Sequence, residues 1–430
     1  MGPTAGSGPP AAGGGRGLRG AMSSLENREY RWLFISNVTF FLAMGGQQIV
    51  RAWLAYQLTD SELALGIISF TVAVPMLVVA PIGGALSDRF ERRNMIAFGQ
   101  SFVLASELVI VTLLLTDRLE YWHLVTAAGF MGCAFPLMMP ARQALVANVV
   151  GRRNLPNAMA LGMAGMNVTR VLGPALAGFL LGPIGTKGTY LFGVGLYATA
   201  LAATMMVSRH PLENPTTKSI FANIMAGARY VRDDRLVMML IFFGLVPMFL
   251  AMPFQTLMVV FAEEVWETGS TGLGLLSVFS GVGGVAGSLY LAWHSDSHKR
   301  IRRMMVTMVG FGGFLLLFSI TPWFSTALGF VFLANACGSI YGTLNNTAIQ
   351  MIVPDEVRGR ISSFLMMSFS LPLLGTLPMS AVAEVYGAPA AVGVGSVLAI
   401  IVAGIFYVSS SALRGMDATV KAAIDSDDGS

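Results

Sequence analysis

Charged side chains inside long apolar runs are the residues of this sequence that are best placed to do chemistry. Arg51, Glu107 and Arg170 each lie well inside such a run. An ionisable group within a membrane usually pairs with another charge, lines a substrate path or carries a proton, because burying it alone is costly. The side chains that we predict for a substrate or proton pathway are Gln47, Gln48, Arg51, Glu107, Asn167, Arg170, Gln255 and Asn345.

Glu107 and Arg170 are expected to share one depth in the membrane. Each lies thirteen residues beyond the cytosolic end of its predicted span, which corresponds to about 20 Å at the rise of an α-helix. A buried carboxylate beside an arginine can bind a proton in one conformation and release it in another. A purely structural ion pair inside the N-terminal bundle is the alternative.

The composition indicates a helical membrane protein. Of the 430 residues, 54% are hydrophobic and only 12% are charged, whereas about a quarter are charged in soluble domains. The basic residues are scattered among short loops instead of forming one patch, which argues against nucleic-acid binding.

The sequence carries none of the patterns that would predict an enzyme. It has no Gly-x-x-x-x-Gly-Lys-Ser/Thr phosphate loop, so we do not expect ATP to drive it. Cys133 and Cys337 lie inside apolar runs and are expected to pack there, not to form a disulfide or a metal site. We therefore expect no catalytic residue, cofactor or metal ion.

The apolar runs predict an all-α polytopic membrane protein with twelve transmembrane helices in two six-helix bundles. Each run can cross about 30 Å of hydrocarbon, and the runs are too long for barrel strands. The predicted spans are 32–57, 64–86, 94–116, 121–149, 157–182, 188–208, 236–261, 270–294, 303–322, 324–352, 361–386 and 388–410.

The same pattern predicts how the chain is divided. We expect a disordered cytosolic tail over 1–30 and an N-terminal bundle over 31–208. A cytosolic linker over 209–235 is expected to contain an amphipathic helix, with a plain charged linker as the alternative. The C-terminal bundle is predicted over 236–410 and a cytosolic tail over 411–430.

The basic residues also predict the orientation. They crowd the segments before the first span and after every even-numbered span, whereas the other loops hold only Arg118 and Lys187. Because cytosolic loops of membrane proteins are enriched in lysine and arginine, both termini are expected to be cytosolic.

The turn between spans 2 and 3, residues 84–93, has a characteristic order of residues. Gly84 permits close helix approach, and Asp88 lies where the apolar run ends. The spacing resembles the loop between helices 2 and 3 of major facilitator superfamily transporters, with Glu91 in place of the usual glycine. The residues of this turn that we predict to act in gating are Gly84, Asp88, Arg89, Arg92 and Arg93.

A degenerate copy of this turn in the second half contains Asp296, as parallel repeats of six spans would produce. We predict that Asp88 lies near Arg358 and Arg360, at the start of span 11, when the cytosolic side is closed. The helix N-terminus there adds about half a positive charge. A mirror contact is expected between Asp296 and the start of span 5.

Span 5 carries Gly173, Pro174 and Gly178, which we predict to let the helix bend. This run resembles the Gly-Pro-rich motif of drug:proton antiporters in the same superfamily, with Ala177 in place of one glycine. Segments 58–66 and 354–360 resemble the branch that contains the enterobactin exporter and macrolide efflux proteins.

The resemblance implies a secondary active transporter of the bacterial cytoplasmic membrane. It implies proton-coupled efflux of a small amphipathic molecule (a drug, macrolide or siderophore-like compound) by alternating access. The expected partners are this substrate, the proton and the lipid bilayer, and we expect a monomer. Uptake of a small nutrient or lipid flipping is one alternative. A transport-inactive receptor or scaffold on the same fold is an alternative of another class.

Overall fold

The computed structural model describes most of the predicted transmembrane region. The described residues are 23–87, 89–210, 225, 229–294, 300–353, 370–415 and 417, with the backbone alone described at 81, 84, 85, 152, 153 and 412. Across these ranges the regular secondary structure is helical, without a β-strand. The expected all-α class is therefore confirmed.

The N-terminal half contains six helices. Their bounds are α1 Arg28–Thr59, α2 Glu62–Ser87, α3 Arg92–Leu115, α4 Tyr121–Gly151, α5 154–184 and α6 186–205. The last three form one helical run, Tyr121–Met205, that is interrupted at Gly151 (φ +70°) and Gly185 (φ +67°). Both dihedral pairs lie in a region that is essentially restricted to glycine, so each glycine ends one helix and starts the next.

The C-terminal half repeats this arrangement. Its helices are α7 Arg235–Val265, α8 Gly269–Trp293, α9 Arg300–Ile320, α10 Phe324–Ile352, α11 Leu371–Tyr386 and α12 Ala388–Ser409. α7 has a turn at 251–253 and ends in one π-helical turn, Phe261–Val265.

The number of membrane-crossing helices agrees with the expectation from the apolar runs. Ten helical segments of the described ranges are long and apolar enough to cross a bilayer. One of them, Asn154–Met205, is two helices because of the break at Gly185, and Leu371–Tyr386 is a shorter apolar helix. The described ranges thus contain the twelve expected segments. Their ends lie within a few residues of those predicted, except that the predicted start of span 11, at 361, lies outside the described residues.

Corresponding helices of the two halves pack through small residues at equivalent places. In the first half, Gly132 of α4 lies against the backbone of Val72 in α2. In the second half, Gly287 of α8 lies against the backbone of Ala336 in α10. A Cβ atom at either glycine would overlap the facing helix, so close backbone approach fixes the same helix pair in each bundle.

The two halves meet through α2 with α11 and through α5 with α8. We call the end of the bundle where α1 begins the terminal end, and the end where α1 stops and α2 starts the distal end. Gly66 of α2 faces Ser380 of α11, and Gly178 of α5 faces Gly274 of α8. All four residues lie in the distal half of their helices, so the halves are in contact at the distal end.

Hydrogen bonds reinforce this distal contact. The Tyr56 hydroxyl of α1 donates to Glu264 Oε1 of α7. Glu384 Oε2 of α11 accepts from Ser61 Oγ at 2.8 Å and from the Leu63 backbone N–H at 2.9 Å.

Several predicted features lie outside the described residues. They are Asp88, Asp296, Arg358, Arg360 and most of the linker 209–235 with its amphipathic helix. The gating contacts proposed for these residues stay predictions.

Candidate functional site

A buried ion pair joins α1 to α3 within the N-terminal half. Arg51 Nη2 donates to Glu107 Oε1, and the Tyr190 hydroxyl of α6 donates to Glu107 Oε2. Glu107 is 0% exposed and Arg51 is 6% exposed. Because each carboxylate oxygen accepts a hydrogen bond, the negative charge is compensated inside the apolar bundle.

The spacing of residues on α1 and α6 builds the surroundings of this pair. Gln47 lies one helical turn before Arg51, so the two side chains share a face of α1. Gln47 Nε2 donates to the Tyr190 carbonyl at 3.0 Å, and Gly193 leaves the space that the Gln47 amide fills. Tyr197, two turns along α6 from Tyr190, is also buried. The ion pair is therefore held by three helices.

The expected pairing of Glu107 with Arg170 is wrong. In the structure the partner of Glu107 is Arg51, on a different helix from Arg170. Arg170 lies on α5, which packs against α1 through Gly165 and Gly173. Equal depth suggested the pairing, but helix packing decides which helices are neighbours. Here it is α1 that packs beside Glu107 and supplies Arg51 as its partner.

α5 presents a mixed polar and apolar stripe to the space between the two halves. One side of the helix packs on α1 through Gly173, and another packs on α8 through Val171, which lies beside Gly281. Between these two sides lies an exposed stripe formed by Met163, Met166, Asn167 and Arg170. The other exposed side of α5 carries only the apolar residues Val168, Leu172 and Leu176, as a side that faces lipid does, so we infer that the polar stripe faces the interior of the bundle.

Arg142 of α4 is a second buried arginine, 3% exposed. Its Nη1 donates to Asn37 Oδ1 of α1, and its guanidinium lies 4.5 Å from the ring centre of Phe40 and 5.7 Å from that of Phe41. Its Nε and Nη2 atoms have no hydrogen-bond partner among the described residues.

The other predicted pathway residues lie at separate places. Gln48 of α1 is exposed. Gln255 of α7 is half-buried, with Nε2 3.8 Å from the sulfur of Met252. Asn345 of α10 is buried and fills the space left by Gly244 of α7, and its Oδ1 has no hydrogen-bond partner in the described ranges. The structure does not bring these three residues into one cluster with the ion pair.

The Gly-Pro segment of α5 serves helix contact in this conformation. A Cβ atom on Gly173 would lie 2.8 Å from the Leu42 carbonyl oxygen of α1, and one on Gly45 would lie 3.0 Å from Pro174 Cδ. The dihedral angles stay helical here, and within Tyr121–Met205 they depart only at Gly151 and Gly185. No break interrupts the helix at these residues, and the predicted ability of the helix to bend there stays a prediction.

Two arginines of the turn after α2 bind the terminal ends of neighbouring helices. Arg92 Nη1 donates to Asn148 Oδ1 at 2.6 Å, and Arg93 Nη2 donates to the Met205 carbonyl at 2.7 Å. Arg89 is exposed, and its backbone N–H donates to the Leu86 carbonyl at 3.0 Å. Arg92 and Arg93 thus connect the start of α3 to the ends of α4 and α6. Gly84 lies in the last turns of α2.

A family model described as "Transmembrane secretion effector" matches residues 19–427, which is nearly the whole chain. The chain belongs to this family. It is therefore a transporter of the major facilitator superfamily, as the turn after α2 implied.

Curated relatives of this transporter include exporters, efflux pumps and siderophore transporters. The staphyloferrin A transporter of Staphylococcus aureus is 23% identical, over 89% of this chain and 97% of its own. The multidrug efflux pump Tap of Mycolicibacterium fortuitum is 24% identical, over 72% and 78%. The enterobactin exporter EntS of Salmonella typhi is 25% identical, over 77% and 80%.

Solved structures confirm the fold of the transporter. The nucleoside transporter NupG superposes with a TM-score of 0.70 at 12% identity, covering 89% of this chain and 98% of that one. A bacterial homologue of the human lysosomal transporter Spinster, inward-facing and unoccupied, gives 0.66 at 12% identity, covering 95% and 99%. At such identities the likeness establishes the fold and not the substrate.

Several residues of the transporter's site gave no clear signal in the sequence. Tyr190 lies near the start of a predicted span, and aromatic residues are common there for other reasons. Glu264 and Glu384 lie near span ends, where acids are expected to be solvated. The match between Gly193, which leaves space, and Gln47, which fills it, could have indicated the site only if α1 and α6 were known to be neighbours.

Proposed function

We propose that this transporter exports a small amphipathic molecule across a bacterial cytoplasmic membrane in exchange for protons. The observation that carries the proposal is the Arg51–Glu107 pair, since Glu107 is the only acidic residue that is buried among the described residues. The relatives named for multidrug efflux, staphyloferrin A and enterobactin support export of such a molecule.

Proton binding at Glu107 would act first on α1. A protonated carboxyl group no longer offsets the charge of Arg51, and an uncompensated buried charge costs several kcal/mol. That cost falls if α1 shifts so that Arg51 reaches water or another partner. Protonation therefore favours a different packing of α1 against α3 and α6.

The same helix connects the proton site to the contact between the halves. Tyr56, which donates to Glu264 of α7, lies only five residues beyond Arg51 on α1. A movement of α1 that relieves Arg51 would displace Tyr56 as well. Proton binding would thus weaken the distal contact and favour opening of the distal end.

Alternating access requires a second contact at the terminal end. The predicted partners there are Asp88 and the start of predicted span 11 near Arg358, and the arginine-rich turn after α2 supports that prediction. The excess of basic residues at the terminal end supports a cytosolic position for both termini. In that orientation the structure corresponds to a conformation closed toward the outside.

Transport into liposomes tests the proposal. The full-length protein and its E107Q variant would be reconstituted, and accumulation of ethidium and sulforhodamine B, two permanently charged fluorescent probes, would be followed under an imposed pH gradient. We expect the wild-type protein to accumulate at least one probe against its gradient. E107Q should exchange that probe down its gradient without responding to pH.

The control is R118Q, a change of an exposed arginine in the turn between α3 and α4. It should behave like the wild-type protein. pH-driven accumulation by folded E107Q at the wild-type rate would refute coupling through Glu107. Failure of the wild-type protein to respond to any pH gradient would refute proton coupling altogether.

A further inference from the structure

The interior of the N-terminal half carries more positive than negative charge. In the described part of the chain, four ion pairs are present: Arg51–Glu107, Lys187–Asp117, His210–Glu29 and Arg232–Asp233. Only the first lies deep within the bundle, and it uses the one buried carboxylate. Arg142 and Arg170 therefore contribute two further positive charges that no described acidic residue compensates.

Arg142 is incompletely satisfied where it stands. Its one hydrogen bond to a described residue goes to the neutral Asn37, and it lies over the Phe40 ring. A cation–π contact of this kind offsets only part of the cost of burying an unpaired charge. Its Nε and Nη2 atoms remain without partners in the described ranges.

Arg170 is exposed, whereas Arg142 is buried. It lies on the exposed stripe of α5, with Asn167 less than one turn away on the same face. It forms no ion pair with any described residue. The opposite exposed side of α5, with Val168, Leu172 and Leu176, is apolar, as a lipid-facing side should be.

The two arginines flank the same turns of α1. Arg142 contacts Asn37, Phe40 and Phe41 from α4. On the α5 side, Arg170 lies between Gly165, which faces Val38, and Gly173, which faces Leu42. The Arg142 guanidinium and the backbone of Arg170 thus lie at the depth of residues 37–42, well inside α1.

We propose that the substrate of this transporter is an amphipathic anion, with a carboxylate or a group of similar geometry that binds Arg170. This inference rests on the proposed function and narrows its substrate class. The planar guanidinium of Arg170 matches a carboxylate with two parallel hydrogen bonds, and the Asn167 amide can donate a third.

The neighbours of Arg170 and the charge of Arg142 complete the site. Met163 and Met166 are flexible, polarizable side chains that adapt to apolar bodies of different shape. Arg142 raises the positive potential at the same depth, where the low dielectric strengthens its effect. A bound anion brings the net charge of this region closer to zero, whereas a cation would increase the repulsion.

Binding to the purified, full-length protein tests the substrate class. The probes are tritiated 1-naphthaleneacetate and 1-naphthaleneacetamide, which differ in charge but hardly in size, and 2-(1-naphthyl)ethylamine as the cation. The wild-type protein should bind the acetate roughly tenfold or more tightly than the amide, as expected for charge-assisted hydrogen bonds. R170Q should reduce this preference to within about threefold, and R170K should keep part of it.

R118Q is again the matched control and should keep the wild-type preference. R142Q should also weaken acetate binding, and R170Q decides the matter if R142Q does not fold. Equal wild-type binding of acetate and amide, tighter binding of the amine, or an unchanged preference in R170Q would each overturn the inference. Anion-selective binding without any pH response would contradict proton coupling but support the anionic substrate class. pH-driven transport without anion selectivity would support proton coupling but contradict the anionic substrate class.

Discussion

Glu384, near the end of α11, caps the first turn of α2 from the opposite half of the molecule. Its Oε2 atom accepts from Ser61 Oγ at 2.8 Å and from the Leu63 backbone N–H at 2.9 Å. The first N–H groups of a helix have no partner within the helix, and a carboxylate placed there is further stabilised by the helix dipole. This cap exists only while the two halves are closed at the distal end.

Removing the charge of Glu384 should therefore open the distal end. We expect E384Q to raise the population of the distal-open state several-fold, since the amide accepts weaker hydrogen bonds than the carboxylate. Spin labels on α2 and α11 near the distal end, with distances measured by pulsed electron paramagnetic resonance, would detect the change. E267Q, at an exposed position of the same end, serves as the control and should leave the distances unchanged.

A double-mutant cycle on Arg51 and Glu107 should show strong coupling. R51M alone and E107M alone each leave a buried charge uncompensated and should lower the free energy of unfolding by about 3–5 kcal/mol. The double variant should recover most of that loss, because neither charge of the pair is then left in the bundle. Thermal or denaturant unfolding in detergent would measure this. Additive losses would show that the pair does not stabilise the fold as a unit.

The contact between Gly178 and Gly274 should be intolerant of a methyl group. A Cβ atom on Gly178 would lie 2.5 Å from Gly274 Cα, so G178A must push α5 and α8 apart. We expect G178A to disfavour the distal-closed state and to reduce transport by about tenfold or more. G182A, one turn along the same helix, is the control, because its added Cβ would lie 3.7 Å from Ser270 Oγ, an ordinary contact.

Gly185 should be replaceable only at a cost in stability. Its φ of +67° and ψ of −179° are strained for any other residue, so G185A should lower the free energy of unfolding by about 1–3 kcal/mol. G195A lies in the regular part of α6 with open space around it and should be neutral or slightly stabilising. Similar losses for both variants would contradict this account.

The fold could be predicted from the sequence because each membrane helix corresponds to a continuous apolar run. The apolar runs predicted all twelve helices, and the turn after α2 predicted the family. The partner of Glu107 could not be predicted in the same way. The position of a residue along its helix can be read from the sequence, but which helices pack against that helix cannot. Counted from the predicted cytosolic end of its span, Arg51 lies deeper than Glu107, so equal depth did not indicate the pair. Tyr190 carries no charge that would mark it as a partner of Glu107.

The cross-half contacts of Glu264 and Glu384 were missed for a related reason. Glu264 lies just beyond a predicted span and Glu384 lies two residues before the end of another, where acidic residues usually face water. Their partners Tyr56 and Ser61 are more than 200 residues away. Only the docking of one bundle on the other brings them together, and that docking depends on close glycine contacts such as Gly66 with Ser380.

The glycine breaks in Tyr121–Met205 also bear on how the protein is made. Gly151 and Gly185 reverse the chain with almost no connecting segment between α4, α5 and α6. A short connection keeps the end of one helix beside the start of the next, so little chain entropy is lost when the two pack against each other. We therefore expect α4, α5 and α6 to associate early in folding, before contacts with helices that are more distant in sequence form.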